Sequence, residues 1–261
     1  MTQHIKVLVT RDLKQSDDFK AKLENSGYLV YEFPVIEIAK TDNLADLDLA
    51  IEQIRDYDWL IFTSVNAAQI FYDRCLEIYH NTSKLQQIKI AVIGPKSKSY
   101  LMERNINVQF MPITYIAECF VEEFPHYPKL KGLKILFPRA SHGRDYIIEK
   151  FTHAGACVNM LKIYQSILPK DLTQKANELK AFLQDENIKI ITLLSAQTVQ
   201  NFSSIYKIAR LDIPNLVLAC IGPETLKMAR QNFPQASYLM PTNYTLAELV
   251  KAINDYVKAC K

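Results

Sequence analysis

Glycine is scarce in this chain, with six in 261 residues. The scarcity leaves no GxGxxG turn after the first strand-like run and no GxxxxGK[ST] loop to cradle phosphates. Both absences argue against a dinucleotide, flavin or P-loop nucleotide enzyme. No apolar run approaches the roughly 18 residues that a membrane span needs. The opening Met1-Thr2-Gln3-His4-Ile5-Lys6 lacks the pattern of a secretory leader. Cys75, Cys119, Cys157, Cys220 and Cys260 are odd in number, widely spaced and without a CxxC pair, as expected of free thiols in a reducing cytoplasm. The five histidines show no ligand spacing, so no metal site is expected. Basic and acidic residues nearly cancel, 31 against 28, and are scattered. That gives no electrostatic footprint for nucleic acid, though a local basic patch could still receive an anionic small molecule. Heptads and broad apolar stripes are also missing, and a monomer is expected.

What is present is globular: 49% hydrophobic residues, with 14 Tyr and 12 Phe to fill a core. The chain also repeats itself. Lys6-Val7-Leu8-Val9-Thr10-Arg11 reads against Lys134-Ile135-Leu136-Phe137-Pro138-Arg139, and four of the six glycines pair at the same offset, Gly27 with Gly155 and Gly94 with Gly222. Ala91-Val92-Ile93-Gly94-Pro95 matches Ala219-Cys220-Ile221-Gly222-Pro223. Ile61-Phe62-Thr63-Ser64 matches Thr192-Leu193-Leu194-Ser195, and Met111-Pro112 matches Met240-Pro241. Two copies of one unit follow.

Each copy alternates short β-branched runs with stretches of helical spacing. Strands are expected at 5–10, 28–33, 59–63, 89–93 and 107–111, then at 133–137, 157–162, 189–194, 216–221 and 236–239. Helices are expected near 16–26, 65–79, 95–104 and 116–124, then 143–154, 197–207, 223–232 and 246–259. Strands alternating with helices of this length imply parallel sheets covered on both faces. The expected fold class is therefore α/β, with two doubly wound, flavodoxin-like domains that bind ligands at the carboxyl ends of their strands. Phe33-Pro34-Val35-Ile36-Glu37-Ile38 and Leu161-Lys162-Ile163-Tyr164-Gln165-Ser166-Ile167 lie at matching points and are too extended for tight α/β turns. They suit two linker strands.

Val7-Leu8-Val9-Thr10-Arg11, Phe33-Pro34-Val35-Ile36, Ile61-Phe62-Thr63-Ser64, Arg139-Ala140-Ser141-His142-Gly143-Arg144-Asp145, Ile163-Tyr164-Gln165 and Ile221-Gly222-Pro223-Glu224-Thr225 together resemble the uroporphyrinogen-III synthase family. The resemblance rests on their order and spacing over essentially the whole chain. It implies two domains joined by a two-stranded linker with the ligand cleft between them: 1–35 plus 167–261 as a discontinuous domain, and 36–166 as the other. The repeat by itself equally permits a plain split near residue 128. The implied activity is cyclisation of hydroxymethylbilane, an anionic linear tetrapyrrole, to uroporphyrinogen III, with loss of water, inversion of ring D and no cofactor. Such a reaction depends on positioning, because the flexible substrate closes unaided to the uninverted isomer.

The resemblance places Tyr164 in the cleft as the group that helps the hydroxyl leave, since a phenol can donate a hydrogen bond or a proton. Taken without the family, a tyrosine between Ile163 and Gln165 reads as one more core aromatic. Carboxylates need donors, and each Gly-Pro turn opens a helix whose first amides face outward. Ser97 and Thr225 stand in those turns, while Thr63, Ser64 and Ser195 end buried strands where either an N-cap or a ligand contact fits. Glu224 departs from the pattern, being an acid in a carboxylate-binding turn. Arg11, Arg139 and Arg144 are the candidate cations, each offering a forked donor or else pairing with a neighbour such as Asp12 or Asp145. Lys96, Lys98 and His142 are weaker candidates. A two-lobed binding module that closes on an anion without chemistry would look the same apart from Tyr164 and the cleft hydroxyls.

Overall fold

The computed structural model describes residues 5–11, 17–41, 44–186 and 188–260. It divides the chain into two compact units, Met1–Glu37 with Ile167–Lys261, and Ile38–Ser166.

The first unit carries β1 (Lys6–Val9), α1 (Asp17–Asn25) and β2 (Leu29–Glu32) from the start of the chain. The second unit follows, with β3 (Glu37–Lys40) at its boundary, then α2 (Ala45–Glu52), β4 (Trp59–Phe62), α3 (Val65–Tyr79), β5 (Lys89–Val92), α4 (Pro95–Met102), α5 (Ala117–Glu123), β6 (Lys134–Ala140), α6 (Tyr146–His153) and β7 (Cys157–Ile167). The chain then returns to the first unit with α7 (Leu172–Lys180), β8 (Ile190–Leu193), α8 (Ala196–Ile208), β9 (Val217–Cys220), α9 (Pro223–Asn232), β10 (Ser237–Leu239) and α10 (Leu246–Ala259).

The two five-stranded sheets have the orders β10-β9-β8-β1-β2 and β3-β7-β6-β4-β5. The pairs β1–β2, β1–β8, β8–β9, β9–β10, β4–β5, β4–β6 and β6–β7 are all parallel. Numbered within its own unit, the first sheet reads 2-1-3-4-5, a doubly wound order. The second matches it by repeat equivalence, with β7, β6, β4 and β5 standing where β2, β1, β8 and β9 stand in the first. It adds β3 outside β7, where Thr41 N–H donates to Ile163 O at 3.1 Å. Each sheet is apolar on both faces because its residues alternate. In the first unit, Leu8, Ile191 and Leu218 join one buried cluster, while Val7, Val9, Ile190 and Val217 join the other. In the second unit, Leu60, Phe62 and Leu136 face one side, and Trp59, Ile61 and Ile135 the other.

Two expectations change. Residues 107–111 form no strand, only a bridge between Ala91 and Phe110. Gln109 N–H donates to Ile90 O at 2.9 Å and Val92 N–H to Phe110 O at 3.0 Å. The Phe110 ring joins a cluster with Phe120 and Phe124, so the edge is held by a short backbone contact and by ring packing. The extended 33–38 segment is a strand only from Glu37 onward. Before that it is held by Val35 N–H to Thr10 O at 3.2 Å and by the buried Asn201 amide, which donates to Val35 O at 2.8 Å. Among the described residues, no helix is long and apolar enough to cross a membrane.

Candidate active site

In a parallel sheet every strand delivers its carboxyl end to the same edge, so the loops that follow the strands converge there. Thr63 and Ser64 follow β4, and Ser64 sits in extended backbone as the N-cap of α3, its Oγ accepting Ala67 N–H at 3.1 Å. Ser195 follows β8 and caps α8 in the same way, accepting Thr198 N–H at 3.1 Å. The two serines are repeat-equivalent caps, and each satisfies an orphan amide of its helix.

Their second partners differ. Ser195 Oγ lies 2.8 Å from the Thr198 hydroxyl, whereas Ser64 Oγ lies 2.8 Å from the phenolic oxygen of Tyr164. The repeat-equivalent of Tyr164 is Ile36, so only the second unit brings a phenol to its capping serine.

A bulge makes that meeting possible. Along β6–β7 the register runs Arg139 to Lys162 and then jumps from Ala140 to Tyr164. An extra residue in a strand interrupts its alternation and re-aims the next side chain. Ile163 and Tyr164 are adjacent, yet both are buried in the same cluster, with 1% and 6% of their surface exposed. The loop after β6 then clamps the tyrosine backbone, as Ser141 N–H and Ser141 Oγ both donate to Tyr164 O, at 2.7 and 3.1 Å.

Ser97 and Thr225 are buried in the first turns of α4 and α9. Gly94 and Gly222 are the N-caps there and have no side chain to accept the first amides. The amides of Lys96, Ser97, Glu224 and Thr225 lie in turns where a helix supplies no internal acceptor. Glu224 is exposed, and so are Lys96 and His142, while Lys98 is half-buried.

The arginines separate. Arg139 is buried, its guanidinium donating to Asp145 Oδ1 at 2.7 Å and to Arg144 O at 3.2 Å. Gly143 has φ +149°, and a Cβ there would stand 2.4 Å from Arg139 Nη2, so the missing side chain makes room for the guanidinium. Arg144 is exposed and pairs with Glu118 at 2.9 Å, which helps hold that carboxyl below its ordinary range, after a hydrogen bond from Glu118's own backbone. Arg11 is exposed at the end of β1, and Asp12, considered as its partner, lies outside the described residues.

The structure therefore joins Tyr164 to Ser64, places Thr63 beside them in sequence, and ties Arg139 and Arg144 into one loop. Asp145 is expected from sequence as a partner for an arginine and pairs with Arg139, whereas Ser141 is not singled out there. No signal in the residue types of its loop marks Ser141. Among the described residues, no group of three or more His, Cys, Asp or Glu side chains could hold a metal ion.

A family model described as uroporphyrinogen-III synthase HemD matches residues 17–251. A uroporphyrinogen-III synthase of Synechococcus elongatus is 30% identical over 260 residues, covering 97% of this chain and 95% of the other. A putative uroporphyrinogen-III synthase of Methanocaldococcus jannaschii is 28% identical over 253 residues, covering 95% and 98%. The solved uroporphyrinogen-III synthetase of Helicobacter pylori shares the α/β fold with a TM-score of 0.59 at 16% identity, covering 99% of this chain and 100% of that one. The corresponding synthase of Thermus thermophilus gives 0.53 at 13% identity, covering 98% and 99%.

Proposed function

The chain belongs to the uroporphyrinogen-III synthase family, and we infer from this that it is the cyclising lyase of tetrapyrrole biosynthesis that converts hydroxymethylbilane to uroporphyrinogen III. Water is lost and ring D is inverted in the process. The observation that carries the mechanism is the 2.8 Å contact between the Tyr164 and Ser64 hydroxyls. Ser64 Oγ already accepts one proton, from Ala67 N–H. Either hydroxyl can be the donor in that contact; with Ser64 donating to the phenolic oxygen, the tyrosine O–H is left for the substrate.

The first step then runs as general-acid catalysis. The hydroxymethyl C–O bond breaks, its electron pair leaves with oxygen, and the phenolic proton converts that oxygen to water. The pyrrole nitrogen lone pair supplies electrons to the carbon left behind, giving the azafulvene electrophile in its N-protonated, cationic form, whose charge the phenolate balances. Ser64 meanwhile stabilises the phenolate, a fixed donor aimed at charge as it develops. Attack by the substituted end of ring D, fragmentation of the spiro intermediate and reclosure depend on how the rings are held.

Further parts of the proposal rest on placement. The first-turn amides of α4 and α9, with Ser97 and Thr225, receive substrate carboxylates, supported by their position after β5 and β9. Thr63, Ser195, Arg11 and Arg144 belong to the same carboxyl edges. The buried ion pair of Arg139 supports a role in shaping its loop. The units are assigned as two domains connected through residues 33–38 and 161–167, since the unit boundaries fall in or beside those segments, and both are taken to contribute to substrate binding. A cytoplasmic monomer without nucleic-acid or membrane partners completes the reading, supported by the scattered, nearly balanced charge.

The deciding experiment supplies freshly generated hydroxymethylbilane to the purified protein and separates the oxidised products into isomers I and III. Type III that rises with protein concentration is the expected result. Type I alone, beside a working reference enzyme, would leave only a binding module.

A further inference from the structure

Two tyrosines share a backbone setting in the two units. After the Ala91–Phe110 bridge the chain runs Met111-Pro112-Ile113-Thr114-Tyr115-Ile116 into α5, and after β10 it runs Met240-Pro241-Thr242-Asn243-Tyr244-Thr245 into α10. In the first, Ile116 N–H donates to Thr114 O at 2.8 Å. In the second, Thr245 N–H donates to Asn243 O, also at 2.8 Å. Both are three-residue turns with the tyrosine at the centre.

Each turn is tied to the helix it introduces. Glu123 Oε2 accepts Ile113 N–H at 2.9 Å, and Thr245 Oγ1 accepts Glu248 N–H at 3.2 Å. The rings themselves stay in water: Tyr115 is 52% exposed and Tyr244 58%, with Ile113 at 87% and Ile116 at 46% beside the first and Met240 at 38% near the second. Tyr244 lies against the Gly222-Pro223 turn, where a Cβ on Gly222 would meet its ring at 3.6 Å. Both loops follow the carboxyl end of a sheet edge, the side on which the Gly-Pro turns also stand.

We propose that Tyr115 and Tyr244 are stacking platforms, one in each unit, for pyrrole rings of the linear tetrapyrrole, an inference that rests on the activity assigned above. Four flat, electron-rich rings bearing carboxylates need apolar faces as well as anion donors. The Gly222-Pro223 amide turn beside the Tyr244 ring offers both, whereas a Cβ on Gly94 would meet nothing within 4 Å and Tyr115 offers its face alone. The locked three-residue turn holds the ring out at little entropic cost, since a tyrosine has only two side-chain torsions to fix. The same turn recurs in both copies of a diverged repeat, and in neither is the ring used to fill the core. The platforms hold ring faces, so the hydroxyl is dispensable and the aromatic face is not.

The test compares Tyr115→Ala, Tyr244→Ala, Tyr115→Phe and Tyr244→Phe for KM, kcat and isomer ratio, with uroporphyrin III titration as a measure of ring binding without turnover. Each alanine variant should raise KM about 2- to 10-fold, the range of one aromatic contact, at an unchanged thermal midpoint, and each phenylalanine variant should restore it. Wild-type KM and Kd in both alanine variants would overturn the proposal, as would phenylalanine variants as weak as alanine. A wild-type protein that makes no type III refutes the assigned activity instead, and the titration then decides the platforms alone.

Discussion

Replacing Ser64 by alanine removes two things at once, and the structure allows them to be separated. The first is the cap of α3, whose loss costs about 1 kcal/mol. The second is the partner of the Tyr164 hydroxyl, on a residue only 6% exposed. A buried hydroxyl left unpaired costs about 1–3 kcal/mol more, so Ser64→Ala should destabilise by about 2–4 kcal/mol in all. Tyr164→Phe removes the hydroxyl but leaves the cap intact, and should cost about 0.5–1.5 kcal/mol. In the double variant no hydroxyl is stranded, and roughly the cap alone is lost, about 1 kcal/mol. The double variant should therefore be no less stable than Ser64→Ala. Urea unfolding of the four proteins reads the coupling, the amount by which the two single losses exceed the double, expected at about 1.5–4.5 kcal/mol. Turnover should follow the same logic: both single variants slow the reaction, and the double is no slower than the worse single. Stability changes that add within about 0.5 kcal/mol would show that the two hydroxyls are not partners. Unchanged turnover in Tyr164→Phe would remove the tyrosine from the chemistry.

Gly143→Ala places a Cβ against Arg139 Nη2 in a backbone region closed to most side chains. A loss of about 1–3 kcal/mol is expected, read as a lower unfolding midpoint, and an unchanged midpoint would mean that the buried guanidinium does not shape the loop. Burial pushes the thiols of Cys75 and Cys220 up to about 12. The unfolded chain starts to release these protons near pH 9 while the folded chain keeps them, so their contribution is intact below about pH 9. Above it, stability falls by up to about 1.4 kcal/mol per pH unit for each thiol until the folded values are reached. Urea midpoints between pH 8 and 10.5 should slope less in a Cys75→Ala, Cys220→Ala double variant than in the wild type, and equal slopes would refute the assignment.

The elements legible in the sequence are those whose periodicity is long or repeated. Helices at 65–79, 223–232 and 246–259 coincide with α3, α9 and α10 to the residue. Missing from that reading are α2, at only eight residues, and α7, whose Leu-Thr-Gln-Lys-Ala-Asn-Glu-Leu-Lys buries only Ala176 and Leu179. An apolar run at 107–111 resembles a strand because Val108 and Phe110 alternate, yet ring packing claims Phe110. The site is harder to read, because its contacts are made by tertiary geometry. Ser64 and Tyr164 are 100 residues apart, and the bulge that re-aims Tyr164 leaves no trace in residue types. Arg139 has Asp145 close by in sequence, but nothing in the loop's composition says that the pair is buried rather than solvated.

The first sheet also sets an order in time. Thr10 donates its hydroxyl to Thr192 O at 2.6 Å, across 182 residues of chain. At roughly 5–20 residues per second of synthesis, β1 waits about 10–40 s for the strand that will lie beside it. All of Ile38–Ser166 emerges within that interval and can complete its own sheet. A nascent chain would thus hold one finished unit and one apolar strand, Val7-Leu8-Val9, with β2 on one side but still without β8 on the other. Chaperone engagement on the ribosome should concentrate on that first strand and end when β8 emerges.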